Sequence, residues 1–164
     1  LEDFPDAQVV DADGPGPVPI PRFLSDFRQY VAAFDAVSHK PLTHLSMDMH
    51  WIDAWHSGYD WISGTRQVID FAHANNIKAG LLMDAEDRFV ESGDGRVVTT
   101  TQVTDQSWMQ MVRAHMELAR ERKLPLDYIH IVSWMKFPER NLPETDPLAF
   151  ASLVNDAWQV WHPK

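Results

Sequence analysis

Three apolar segments, each preceded by an amphipathic helical segment, constrain the fold of this chain more than any other feature. Their sequences are THLSMDMHW at residues 43–51, IKAGLLMDAED at 77–87 and DYIHIVSWM at 127–135. Alternation between strand-like and helix-like periodicity favours parallel strands joined by right-handed crossovers. The predicted fold class is therefore α/β, with parallel βα repeats of the kind that build a TIM barrel.

The helical segments are recognised by apolar residues at spacings of three and four. Ser25 or Asp26 is expected to cap the first of them, after a proline-rich stretch, DGPGPVPIP, which predicts a loop or polyproline conformation. Asp146 followed by Pro147 predicts the N-cap and first position of the last helix. The predicted helices cover residues 23–37, 61–74 and 106–122, and a fourth that begins at 146.

The segment 88–104 departs from the βα pattern and is predicted to be a hairpin or loop insertion. Apolar pieces flank Gly93-Asp94-Gly95, which is a turn signal between short strands. Asn75-Asn76 predicts a left-handed stop for the second helix.

Length and composition narrow the classes of protein further. A net charge of −10 argues against a protein that binds the nucleic-acid backbone, because such a protein needs a basic face. The chain has no cysteine, so disulfides and thiolate nucleophiles are excluded. No apolar run approaches the roughly 18 residues of a membrane span, so no membrane partner is expected.

The whole chain, residues 1–164, is interpreted as one α/β domain, with about four βα units. A complete eight-fold barrel typically needs about 250 residues. The favoured interpretation is a portion of a (β/α)8 barrel from a longer protein, because the chain starts without Met. A small open doubly wound sheet, or a barrel completed by another chain through self-association, stays open.

Candidate site residues come from strand alternation, because parallel α/β proteins place ligands beyond the carboxyl ends of their strands. Ser46, Asp48 and His50 share one face of the first segment, and Asp84 and Glu86 share a face of the second. Two carboxylates about 5 to 9.5 Å apart can hydrolyse a glycosidic bond. The predicted catalytic residues are Glu86 as general acid, Asp48 as nucleophile or base tuned by His50, and Asp84.

The tryptophans supply candidate platforms for a sugar ring. The chain has seven, and Trp51, Trp55, Trp61 and Trp134 lie near predicted strand ends or the turns that follow them. Stacking on a ligand is one use of an indole, and core packing is the commoner one. Trp51, Trp55, Trp134 and His50 are predicted to contact substrate, which is expected to be a carbohydrate that requires no cofactor.

The segment SWMKFPERNLPETDPLAFASLV (133–154), together with HLSMDMHW and IKAGLLMD, resembles an uncharacterised bacterial group of (β/α)8-barrel, glycoside-hydrolase-like domains. The resemblance covers roughly residues 20–158. It implies that Asp48, Glu86, Trp134 and Glu144 line a cleft. Glu144 also fits the entry to the last helix. The chain departs from a complete barrel in lacking the other strands, which puts activity of this chain alone in doubt.

Two other functions fit the same residues. A metal-dependent hydrolase or isomerase of the same architecture would use Asp48, His50, Asp84 and Glu86 as ligands. Two carboxylates and two imidazoles also lie within nine residues, in Asp48, His50, Asp53 and His56, although their spacing matches no closed metal motif. A carbohydrate-binding module without turnover is the other alternative. No nucleotide-binding glycine motif and no serine-hydrolase elbow is present. The histidines without shared spacing are interpreted as structural or surface groups: His39, His44, His73, His115, His130 and His162.

Overall fold

The computed structural model describes residues 10–13, 19–48, 61–85, 89–91, 97–99, 103–134 and 136–162. Its strands are β1 (Val10–Asp13), β2 (His44–Met47), β3 (Lys78–Met83), β4 (Phe89–Glu91), β5 (Val97–Thr99) and β6 (Tyr128–Ile131). Its helices are α1 (Ile20–Ser38), α2 (Trp61–Ala74), α3 (Asp105–Glu121) and α4 (Ser152–Trp161).

The main sheet has four strands in the order β1-β2-β3-β6. β1 pairs with β2 and β2 pairs with β3 in parallel, with His44 opposite Lys78 and Ser46 opposite Gly80. β4 and β5 form a separate two-stranded sheet. Each of the other strands therefore lies beside the main-sheet strand that precedes it along the chain. This order confirms the α/β class, whereas four strands are too few to establish a closed barrel.

The contacts divide the chain into two compact units. The first comprises Leu1–Leu82 with Pro125–His130, and the second comprises Met83–Leu124 with Ile131–Lys164.

The core of the first unit is built from side chains that alternate along the strands and from the apolar stripes of α1 and α2. On α1, Phe27 is buried and meets Phe71 of α2 edge to face at 5.8 Å. Burial of this apolar surface is the main force that holds the two helices together. The apolar side chains of β2, α2 and β3 in this unit that are 0% exposed are Leu45, Met47, Val68, Ile69, Ala72, Ala79 and Leu81.

Helix α1 begins three residues earlier than the sequence predicts. It starts at Ile20, with Pro19 at the N-cap, so the end of the proline-rich stretch is helical. Pro21 is tolerated because the first turn of a helix does not need its backbone N–H. The predicted cap at Ser25 or Asp26 is wrong, since no side chain caps this helix.

The ends of the first two helices agree better with the sequence. His39 closes α1 in the left-handed conformation, with φ of 55°, and its N–H donates to the Asp35 carbonyl at 3.2 Å. Helix α2 covers the predicted residues, and Asn76, with φ of 59°, is the predicted left-handed stop. The Ile77 N–H then donates to the Ala72 carbonyl, and β3 follows at once.

In the second unit, a capping box begins α3. The Thr104 side chain accepts from the Ser107 N–H at 3.2 Å, and the Thr104 N–H donates to the Ser107 hydroxyl at 2.9 Å. These bonds satisfy two backbone donors that a helix start leaves open. The buried side of α3 includes Trp108, Met111, Val112, His115 and Ala119, whereas Leu118 is only half-buried.

The predicted start of the last helix is wrong, because α4 begins at Ser152 rather than at Asp146. The Asp146 carboxylate accepts from the Leu148 N–H at 2.9 Å and from Arg140 at 2.6 Å. It therefore stabilises a turn ahead of the helix. On α4, Leu153 is buried, whereas Val154 and Trp158 are exposed.

The predicted hairpin is confirmed where the structure describes it. β4 and β5 are antiparallel, with Val90 opposite Val98. Its turn, Gly93-Asp94-Gly95, lies outside the described residues.

Candidate functional site

Two of the three predicted catalytic carboxylates lie at the ends of described strands. Asp48 directly follows β2 in the first unit and is half-buried. Asp84 directly follows β3 in the second unit and is only 7% exposed. β2 and β3 are neighbours in the sheet, paired from His44 opposite Lys78 to Met47 opposite Leu81.

Several predicted site residues lie outside the described residues: Glu86, His50, Trp51 and Trp55. The pairing of Asp48 with Glu86 therefore stays a prediction. The same holds for the metal hypothesis, since it depends on His50, Asp53 and His56. Within the described ranges, no three His, Asp or Glu side chains are grouped closely enough to hold a metal ion.

The end of β3 is fixed in the second unit by a buried histidine. His115 of α3, which is almost fully buried, places Nδ1 3.0 Å from the backbone carbonyl of Asp84. A carbonyl can only accept, so Nδ1 carries the proton and donates. The bond ties the backbone of Asp84 to α3 and restrains the strand end that carries the carboxylate.

Trp134 lies at the equivalent end of β6, in the same unit as Asp84. The Val132 N–H donates to the Met83 carbonyl at 3.2 Å, so the two strand ends are joined directly. Asp84 follows Met83, and Trp134 comes two residues after Val132. The Ser133 hydroxyl donates to the Phe137 carbonyl and closes the turn around Trp134. The indole itself is 70% exposed, as a stacking platform must be.

Glu144 lies on an exposed turn of the second unit. The turn is closed by a bond from the Asp146 N–H to the Pro143 carbonyl at 3.0 Å. The carboxylate of Glu144 is therefore available to solvent, ahead of α4 rather than inside it.

The first unit contains a second group of polar residues, of which the sequence analysis singled out only Ser46. Ser46 on β2 lies 3.3 Å, from Oγ to Nδ1, from His130 on β6. β3 runs between these two strands, so the side chains meet across it. The sheet face that carries Ser46, Gly80, Tyr128 and His130 is called the polar face below.

Gly80 is the residue that allows this arrangement. A Cβ atom at Gly80 would overlap the ring of Tyr128, which therefore lies directly over the β3 backbone. The Tyr128 ring also meets the His44 ring edge to face, with the two ring centroids 5.6 Å apart. A glycine inside a strand often marks such a close approach.

The Tyr128 hydroxyl is buried at the centre of the polar face. It has no hydrogen-bond partner within the described residues, although the Ser46 hydroxyl lies near enough to influence its pKa. Burial raises the pKa of Tyr128, the Ser46 hydroxyl opposes that rise, and the charge of Asp127 adds to it. The phenol is therefore neutral at physiological pH and can act as a hydrogen-bond donor.

Sequence reasoning missed His44, Tyr128 and His130 as members of a site. Two signals in the sequence point to them: Gly80 interrupts an otherwise apolar strand, and Tyr128 and His130 share a face by strand alternation. Their convergence with Ser46 depends on which strands are neighbours, which a single sequence does not specify.

Comparison with known proteins gives no relative: no family model, no curated protein and no solved structure matches this chain. None of the helices in the described part of the chain is long and apolar enough to cross a membrane.

Proposed function

We propose that this chain is a carbohydrate-active hydrolase domain that cleaves glycosidic bonds at the carboxyl ends of its parallel strands. One observation carries the proposal. In the second unit, buried Asp84 and exposed Trp134 both follow the backbone bond between Met83 and Val132. A carboxylate and an indole platform thus come from two joined strand ends.

This combination suits a sugar. An exposed indole offers a flat apolar surface for the CH face of a pyranose ring. Carboxylates accept hydrogen bonds from hydroxyl groups, and a pair of them provides the acid and the nucleophile or base of glycoside hydrolysis. We assign Glu86 as general acid and Asp48 as nucleophile or base, with Asp84 as a further catalytic carboxylate.

The strand order supports a portion of a (β/α)8 barrel as the architecture. The order β1-β2-β3-β6 advances in one direction, whereas a doubly wound sheet reverses at a switch point. Contact between α1 and α2 through Phe27 and Phe71 places consecutive helices side by side, as in a barrel. The remaining strands would come from a further segment or from a second copy.

The test is hydrolysis of a panel of aryl glycosides and oligosaccharides by wild type and by Glu86→Gln. Loss of the general acid should reduce turnover by about 10²-fold or more, while circular dichroism shows an unchanged fold. Glu121→Gln, at the exposed end of α3, serves as a matched control that should keep the wild-type rate. A wild-type rate in Glu86→Gln would remove Glu86 from the mechanism.

The exposure of Trp134 also favours a second candidate, a carbohydrate-binding module without turnover, because stacking on an indole requires no catalyst. Binding measurements on the same panel separate the two. Sugar binding that survives Glu86→Gln, with no product formed by wild type, would favour the binding module.

A further inference from the structure

His130 has the features of a ligand-contacting residue rather than of a packing residue. It is exposed on β6, yet its Nδ1 atom is held 3.3 Å from the hydroxyl of Ser46, which is 0% exposed. An exposed imidazole anchored at one nitrogen by a buried partner has a fixed orientation. Such anchoring is how proteins commonly set the tautomer and direction of a functional histidine.

The contact with Ser46 assigns the two ring nitrogens of His130 to different tasks. A hydroxyl can donate to Nδ1 or accept from it, and in either case Nδ1 is the nitrogen that Ser46 engages. Nε2 is therefore the ring nitrogen that would contact a ligand.

Ser46 itself does not suit the role of nucleophile. Its side chain is fully buried, so a substrate atom cannot reach Oγ. Ser46 therefore acts through His130, as a positioning residue.

The position of His130 relates it to the proposed reaction. Asp48 lies two residues beyond Ser46, in the same unit, which corresponds to about 6.6 Å between their Cα atoms along extended chain. Because Nδ1 of His130 is held against Ser46, the imidazole contacts a residue two positions before Asp48. A sugar held beside Asp48 would thus have the imidazole within reach of its hydroxyl groups.

We propose that His130 is a substrate-contacting residue that forms a hydrogen bond through Nε2 with a sugar hydroxyl, with Ser46 as its positioning residue. This inference rests on the proposed carbohydrate function and adds a polar subsite on the first unit. His130 contributes binding and orientation, and the carboxylates perform the proton transfers.

The experiment compares His130→Gln with His130→Asn in the full chain, using xylo-, cello-, manno- and malto-oligosaccharides as probes. The Gln amide nitrogen extends close to the place of Nε2, whereas the shorter Asn amide extends only to that of Nδ1. We expect Gln to keep Kd or KM within about threefold of wild type and Asn to weaken it about tenfold. A purely structural role would not separate the two variants in this order.

Two further measurements complete the test. Nitrogen-15 NMR of the free protein should show one dominant tautomer of His130, because Ser46 engages only Nδ1, and Ser46→Ala should remove that preference. Kd unchanged in both His130 variants, while Trp134→Ala weakens binding, would overturn the role of His130 and leave the proposed function standing. If the wild-type protein binds none of the sugars, both the proposed subsite and the proposed function are contradicted.

Discussion

The Nε2 atom of His73, in the last turn of α2, lies 2.8 Å from Oδ2 of Asp127, directly ahead of β6. The same carboxylate oxygen accepts from the Ala79 N–H at 2.8 Å, and the Asp127 N–H donates back to the Ala79 carbonyl at 2.9 Å. One aspartate therefore joins α2, β3 and β6 at the amino ends of the strands. In barrel-type proteins this end serves stability, and the opposite end carries the chemistry.

The first prediction concerns acid stability. Burial raises the pKa of Asp127, but the hydrogen bonds from Ala79 and His73, together with the charges of His73 and Lys78, outweigh it and hold the pKa below its ordinary value. The stabilisation is therefore present above the unfolded-state pKa of about 3.9 and is lost as pH falls through the lower folded-state value.

Asp127→Asn should lower the free energy of unfolding at pH 7 by about 1 kcal/mol or less, because the carboxylate is partly exposed and screened. It should also flatten the decline in stability below about pH 4. Urea unfolding at a series of pH values measures both effects, with Asp70→Asn on the exposed side of α2 as the control. A slope as steep as that of wild type would contradict this account.

A second prediction concerns the packing of Tyr128 over Gly80. Gly80→Ala should destabilise the protein by about 1–3 kcal/mol, because the new Cβ would overlap the ring. In the Tyr128→Ala background the same change should be neutral or slightly stabilising, since alanine restricts the unfolded chain more than glycine does. A double-mutant cycle by urea unfolding measures the difference. Equal costs in both backgrounds would show that the ring is not the obstacle.

A third prediction concerns the link between α3 and α4. Arg113 donates to Asp156 at 2.7 Å and to the Pro147 carbonyl at 2.8 Å. Asp156→Ala should lower the free energy of unfolding by about 0.5–1 kcal/mol and Arg113→Ala should lower it by about 1–2 kcal/mol, because the arginine change also leaves the Pro147 carbonyl without its donor.

The control is Arg120→Ala, whose exposed pair with Glu117 lies within α3. It should cost less than about 0.5 kcal/mol by thermal unfolding. A cost for Arg113→Ala no larger than this control would show that the link does not stabilise the helix pair.

The fold class and most elements could be predicted because their signals are local. Apolar periodicity located β2, β3, β6 and the first three helices, and Asn76 marked the end of α2. The start of α4 was missed for a physical reason: the Asp146-Pro147 signal is also local, but Arg140 engages the carboxylate and stabilises a turn instead.

The candidate site was only partly predictable. Asp48, Asp84 and Trp134 could be placed at strand ends from alternation alone, and the structure describes them there. Ser46 and His130 are 84 positions apart, and their contact depends on strand order, because β3 runs between their strands. Strand order cannot be derived from periodicity.

The last prediction tests the platform role of Trp134 against an indole of similar exposure. Trp134 is 70% exposed and Trp158 is 66% exposed, so removing either should change the free energy of unfolding by less than about 0.5 kcal/mol. Trp158 already stacks on His162, at 3.9 Å between centroids, and lies on α4 rather than at a strand end. Trp134→Ala should weaken oligosaccharide binding by about two- to tenfold, which corresponds to the loss of one stacking interaction.

Trp158→Ala should leave that binding unchanged. Titration calorimetry with the sugars used above measures both variants, and tryptophan fluorescence of the Trp158→Ala protein should still respond to ligand. Equal losses in the two variants would indicate nonspecific adhesion to exposed indoles. No loss in either would place the sugar elsewhere and would remove Trp134 from the proposed site, since an indole that stacks on a ring cannot be deleted without a cost in affinity.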